Sequence, residues 1–139
     1  NFDFGNVLFA DIDGSDLGVD EVIPALRKLD AGFSDATILV LGSSSSVVRR
    51  EGEAVGTDSG SYHIYISVKD GNDIKRYSGV LGQRCWLTGS GYIKVSKSGA
   101  LLKRQLIDTA VYTPERLIFE ALPTLGDGLM QDKRASHIQ

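Results

Sequence analysis

Val7-Leu8-Phe9-Ala10-Asp11-Ile12-Asp13-Gly14 brings two carboxylates, two residues apart, to the end of an apolar run. A run this rich in Val, Leu and Phe favours a buried strand. Side chains alternate along a strand, so Asp11 and Asp13 face one way and Ile12 the other. Two carboxylates on one face at the end of a buried strand repel each other and lose hydration, which is costly unless a cation lies between them. Hard divalent ions with oxygen ligands, Mg²⁺ above all, relieve that cost. The alternative is a surface turn, since Asp-Gly is a common turn pair. Ser61-Tyr62-His63 places a hydroxyl and an imidazole on one face of an alternating stretch, and Ile107-Asp108 adds a third acid. Three carboxylates can hold two divalent ions, which lower the charge on an attacking hydroxyl and a leaving pyrophosphate together. A hydroxyl and an imidazole beside them supply donors to a triphosphate. This is the equipment of nucleotidyl transfer. Each residue also has a plainer reading: His63 as a half-buried histidine, Asp108 before Thr109 as a cap, Arg116 as surface and the serine run as loop.

These side chains need a sheet to hold them. The pattern predicts a strand ending at the acids, then a turn over 14–18 and a helix near 21–31 with Asp20 as its N-cap. Pro24 falls in the first turn, where it is tolerated. Thr37 to Leu41 reads as a second buried strand, followed by the serine run Ser43 to Ser46 and an exposed loop over 51–60. Ser61 to Val68 alternates with high β propensity, with Ser61, His63 and Tyr65 on one face. Asp70 to Asp73 reads as a turn capping a helix over 72–83. A short strand near 92–95, a tight turn at Lys97-Ser98-Gly99 and a strand over 101–108 follow. A last strand over 117–121 puts Phe119 in the core. Cys85 and Trp86 are expected in the core, and residues 131–139 as a frayed polar tail.

Strand, helix, strand, strand, helix, strand is the order of an α+β, RRM-like split βαβ sheet packed by helices on one face. In it the first and third strands lie side by side in the middle of the sheet, so Asp11 and Asp13 neighbour Ser61 and His63.

Composition narrows the function classes. The chain has 139 residues, enough for one domain with a sizeable core. Its net charge of −3 gives no global basic field, so any nucleic-acid contact is local. Cys85 is the single cysteine, which excludes an internal disulfide and a zinc ribbon and fits a reducing cytoplasm. No stretch approaches the roughly 20 apolar residues that span a membrane. The chain opens at Asn1 and enters a strand almost at once, so it reads as a piece of a longer protein, with a catalytic core over 1–130.

In order, the three motifs resemble those of the archaeo-eukaryotic primase superfamily, the prim-pols: an apolar strand ending in Asp-x-Asp (Leu8 to Asp13), a Ser-x-His (Ser61-Tyr62-His63) and an apolar residue before Asp (Ile107-Asp108). Val111-Tyr112-Thr113 and Arg116 look like the continuation in some prim-pols, where the arginine lies near the incoming nucleotide. The Ser43 to Ser46 run is similar to a serine-bearing loop in primases of plasmids and mobile elements, and Pro114 to Leu129 resembles the segment after their third motif. The resemblance implies that Asp11, Asp13 and Asp108 bind two Mg²⁺ or Mn²⁺ ions. It implies that His63, helped by Ser61, contacts nucleotide phosphates, with Arg116 a weaker contact. It further implies nucleoside triphosphates, a single-stranded DNA template and a replicative helicase domain as partners, and primer or DNA synthesis for a plasmid, phage or mobile element. The chain departs from the family at Ser59, where some members carry a phosphate-binding lysine; Arg49, Arg50 or Lys103 is a candidate replacement. It also starts too late to include the further α/β module that such domains usually carry, often ahead of the first motif, and its residues show no zinc knuckle of the kind some relatives have and no Walker A pattern.

Two other classes compete. Asp11-Ile12-Asp13-Gly14 also resembles the nucleophile strand of haloacid dehalogenase-type phosphatases, with Leu41-Gly42-Ser43 and Gly126-Asp127-Gly128 as partial matches to further motifs. Gly42 stands where that family ends its second strand in Ser or Thr, and its sheet is parallel. A non-catalytic RRM-like nucleic-acid-binding module would instead display aromatic residues on its central strands.

Overall fold

A computed structural model describes residues 5–54, 60–112, 117–118 and 120–139. The architecture is α+β. The main sheet has four antiparallel strands in the order β1 (Val7–Ile12), β4 (Tyr62–Ser67), β2 (Ile38–Gly42), β8 (Ser136–Ile138). Two smaller ladders join β3 (Val48–Arg50) to β7 (Leu129–Gln131) and β5 (Gly91–Val95) to β6 (Leu101–Gln105). Helices α1 (Val19–Leu29) and α2 (Ile74–Leu87) complete the core.

The period-2 pattern sorts the sheet into two faces. Register pairs Leu8 with Ile66, Ala10 with Ile64 and Ile12 with Tyr62, and β2 adds Ile38 and Val40. All are buried, in one cluster with Val22, Ile23, Leu26 and Leu29 of α1 and Ile74, Leu81 and Cys85 of α2. Burying a side chain such as Leu26 contributes about 1.5–3 kcal/mol, and this cluster is what fixes the register. The other face carries Phe9 opposite Tyr65 and Asp11 opposite His63, all half-buried. At the end of α1, Asp30 ties the helices together: its carboxylate accepts from the Tyr77 hydroxyl at 2.6 Å and from Arg84. Burial acts to raise the Asp30 carboxyl, but Tyr77, the Gly32 amide and Arg84 together hold it below its ordinary value.

Several expectations need correction. The first and third long strands are neighbours, but β1 lies at the sheet edge and not in its middle. Helix α1 begins after Gly18, whose amide is capped by the Glu21 carboxylate at 2.8 Å; Asp20 sits in the first turn, where the helix dipole favours it. The strand expected over 101–108 stops at Gln105. There Leu106 N donates to Ser90 O and Ile107 turns into the core. Residues 117, 118, 120 and 121 form no strand, because Leu117 and Ile118 are exposed and Glu120 is drawn to the sheet face. Phe119 lies outside the described residues. Cys85 is buried, but Trp86 is 39% exposed, its ring against Gly91 and its indole N–H on Gln105. The 131–139 tail is tied down: β8 satisfies the outer edge of β2, and the Gln139 amide donates to Phe33 O at 2.7 Å. The Lys97-Ser98-Gly99 turn closes the β5–β6 hairpin as expected. Among the described strand pairs none is parallel, so the sheet that a haloacid dehalogenase-type phosphatase requires is absent from them.

Candidate functional site

The acids meet at the end of β1. Asp11 is its penultimate residue, facing away from the core, and Asp13 follows on the exposed turn. Asp108 arrives from the far side: its amide donates to the Asp11 carbonyl at 2.8 Å, so the chain after β6 docks on the end of β1. The Asp108 carboxylate also accepts from Ala110 N at 2.8 Å, capping a 3-10 turn over Thr109–Tyr112. The cap reading and the site reading of Asp108 therefore coexist.

His63 pairs with Asp11 across the ladder, and its Nε2 stands 3.9 Å from Asp11 Oδ1. Its Nδ1 donates to Glu120 Oε1 at 2.6 Å. Glu120 also accepts from the Tyr65 hydroxyl, and Arg134 donates to Oε2 at 3.3 Å. Burial pushes the Glu120 carboxyl up, but the bonds from Tyr65 and His63, with His63 and Arg134 nearby, outweigh it and hold the group below its ordinary value. Glu120 is thus an ionised acceptor, the Nδ1–H tautomer is set, and Nε2 is turned toward Asp11. The Phe9 ring braces His63, centroids 5.4 Å apart and nearly perpendicular, and Tyr65 at 5.3 Å.

Ser61 holds the turn beside the acids. Its hydroxyl accepts from Gly14 N at 2.9 Å, pinning the turn that carries Asp13. One residue earlier, Gly60 O accepts from the Ser15 amide and hydroxyl at 2.9 and 2.8 Å. Gly60 has φ +65°, and a Cβ there would lie 1.8 Å from Ser15 O, so no other residue fits. The serine run folds onto the same place: Ser43 N donates to Ser61 O, and Gln131 clamps the carbonyls of Ser44 and Ser46.

Asp11, Asp13, His63 and Asp108 line one cavity of about 330 Å³ with Phe9, Ser44, Val111, Leu117 and Ile118. The Asp11 carboxyl is raised to about 6, by burial first and then by the charges of Asp13 and Asp108, against the opposing effect of His63. A carboxyl raised by burial and by two other acids gains from a cation placed beside it. Among the described residues, no group of three or more His, Cys, Asp and Glu side chains is gathered at metal-ligand spacing. The donor set still fits a hard divalent ion in kind: carboxylate oxygens from three backbone positions opening on one cavity.

The chain finds no match among protein-family models, curated proteins or solved structures.

Six residues were expected in the site. Asp11, Asp13, Asp108 and His63 converge, Ser61 supports them from the turn, and Arg116 lies outside the described residues. Of the three cations weighed against Ser59, Arg49 is engaged with Asp132 at 2.6 Å, Arg50 is exposed on β3, and Lys103 alone lines a cavity with Asp13 and Asp108. Glu120 was missed as a site residue. Its signal was a lone acid in the apolar run 117–122.

Proposed function

We propose that this chain is the catalytic core of a primase-polymerase that joins nucleoside triphosphates on a single-stranded DNA template. Plasmid, phage or mobile-element replication in a cytoplasm is its setting, with a helicase domain as a partner. The observation that carries the reading is the convergence of Asp11, Asp13, Asp108 and His63 on one cavity from three separate stretches of chain. The order β1, α1, β2, β4, α2, with β4 between β1 and β2, supports an RRM-like split βαβ. No helix among the described residues is long and apolar enough to cross a membrane.

Asp11, Asp13 and Asp108 would hold Mg²⁺ or Mn²⁺, which neutralises charge on the attacking hydroxyl and the leaving pyrophosphate. His63 presents Nε2 to the cavity and meets a phosphate oxygen as a donor when protonated, Glu120 behind it balancing the charge. Ser61 and Gly60 hold the acidic turn in register with β4.

The test is incorporation of labelled nucleotide on a DNA template with Mn²⁺. Asp11→Asn and Asp108→Asn are expected to lose incorporation at least 100-fold while keeping the wild-type circular dichroism. Asn at 108 is chosen because it keeps an oxygen for the Ala110 cap. Wild-type incorporation in either variant overturns the reading.

A further inference from the structure

Of the β5–β6 hairpin, the site described so far draws on Lys103 alone. Residues 91–105 contain Lys94, Lys97, Lys103 and Arg104 and no acid, within a chain of net charge −3. Cross-strand register sets Tyr92 opposite Arg104, so the two share a face, and Lys94 follows Tyr92 on that face. Tyr92, Lys94, Lys103 and Arg104 line a cleft of about 550 Å³ together with Asp13 and Asp108. Among the described residues, none of these three cations forms an ion pair. Tyr92 is 56% exposed, and Trp86 borders the same cleft.

We infer that this hairpin is the surface along which a single strand of nucleic acid enters the acidic cavity, its phosphates on Lys94, Lys103 and Arg104 and a base on Tyr92. Exposed aromatics among unpaired cations are how strands are bound without regard to sequence: phosphates meet the charges and bases stack on the rings. A duplex offers phosphates but no free base face, and an anionic membrane offers neither spacing nor bases. Charge complementarity also gives direction. Asp13 and Asp108 repel a strand until cations cover them, whereas the hairpin attracts it throughout, so the strand is held at the hairpin first. The inference rests on the nucleotidyl-transfer reading only for what happens at the end of the path.

The experiment is fluorescence anisotropy of a labelled oligothymidylate with the whole chain, free of divalent metal and nucleotide, over a salt series. Lys94→Ala/Arg104→Ala is expected to weaken binding at least tenfold and to flatten the salt dependence by about 1.4 in log–log slope, about 0.7 for each phosphate left without its cation. Tyr92→Ala is expected to weaken binding about tenfold. Lys75→Ala, on the exposed surface of α2, is expected to leave it unchanged. Trp86 is the only tryptophan, so its emission reports the cleft directly and is expected to change on strand binding in the wild type. Wild-type affinity in both hairpin variants, no strand binding by the wild type, or preference for duplex or for anionic phospholipid vesicles overturns the inference. Strand binding through the hairpin by a protein that never incorporates nucleotide retires the enzyme reading and leaves this one standing. Incorporation with strand affinity indifferent to the hairpin does the reverse.

Discussion

Asp11 sets the energetics of the site because it bears burial and two like charges at once. Its carboxyl is raised to about 6 by burial first and by Asp13 and Asp108 next. A raised acid stabilises the fold while protonated. In metal-free protein the contribution of Asp11 is complete below its ordinary value near 4 and is lost as pH rises through about 6. Asp11→Asn should remove that loss and stabilise the metal-free chain at pH 8 by on the order of 1 kcal/mol, the shift being discounted for partial exposure. Urea unfolding at pH 4.5 and pH 8 measures it, and a variant no more stable than wild type at pH 8 contradicts this account of Asp11. Glu120 makes a second case, since it fixes which imidazole nitrogen of His63 meets the cavity. Glu120→Gln keeps the side chain's shape and removes its charge. Calorimetry should show triphosphate affinity with Mn²⁺ reduced about tenfold with little change in melting temperature. Glu120 was hard to assign from sequence because its partners are His63, Tyr65 and Arg134, 57, 55 and 14 residues away.

At the scale of elements, the turn after β1 and the entry to β4 act as one unit. Gly60 and Ser61 grip Gly14 and Ser15 by three bonds, and that grip places Asp13. Gly60→Ala must move backbone and not a flexible side chain, because the added carbon meets a carbonyl. It is expected to cost at least 2 kcal/mol, read by urea unfolding, and to weaken Mn²⁺-dependent nucleotide binding. An alanine variant with unchanged stability would show that the two segments do not hold each other. The strands and helices were legible because alternation and helical spacing carry through Val7–Ile12, Tyr62–Ser67 and Val19–Leu29. Element ends were less legible. Gln105 ends β6 because the next three residues find partners at Ser90, in the core and on β1, and no local pattern announces that.

For the whole molecule, closure depends on the last residues. β8 covers the outer edge of β2, and Gln139 joins that edge to the 3-10 turn at Ala31–Ser34 and, through its side chain, to Arg27. Deleting 136–139 is expected to cost about 2 kcal/mol in urea unfolding and, by opening a sheet edge, to promote self-association visible by light scattering. An unchanged midpoint would return the segment to the status of a frayed tail. Sequence alone determined the strand that ends in acids, the alternating stretch with His63 on its outer face, the tight hairpin turn and the two core helices, because each is a local periodicity. Only the tertiary structure decided that Asp108 docks on Asp11, that Glu120 stands behind His63 and that the basic hairpin shares a cleft with the acids. Those depend on which sheet edges remain open and which buried charges need partners, and both are settled only when distant segments pack.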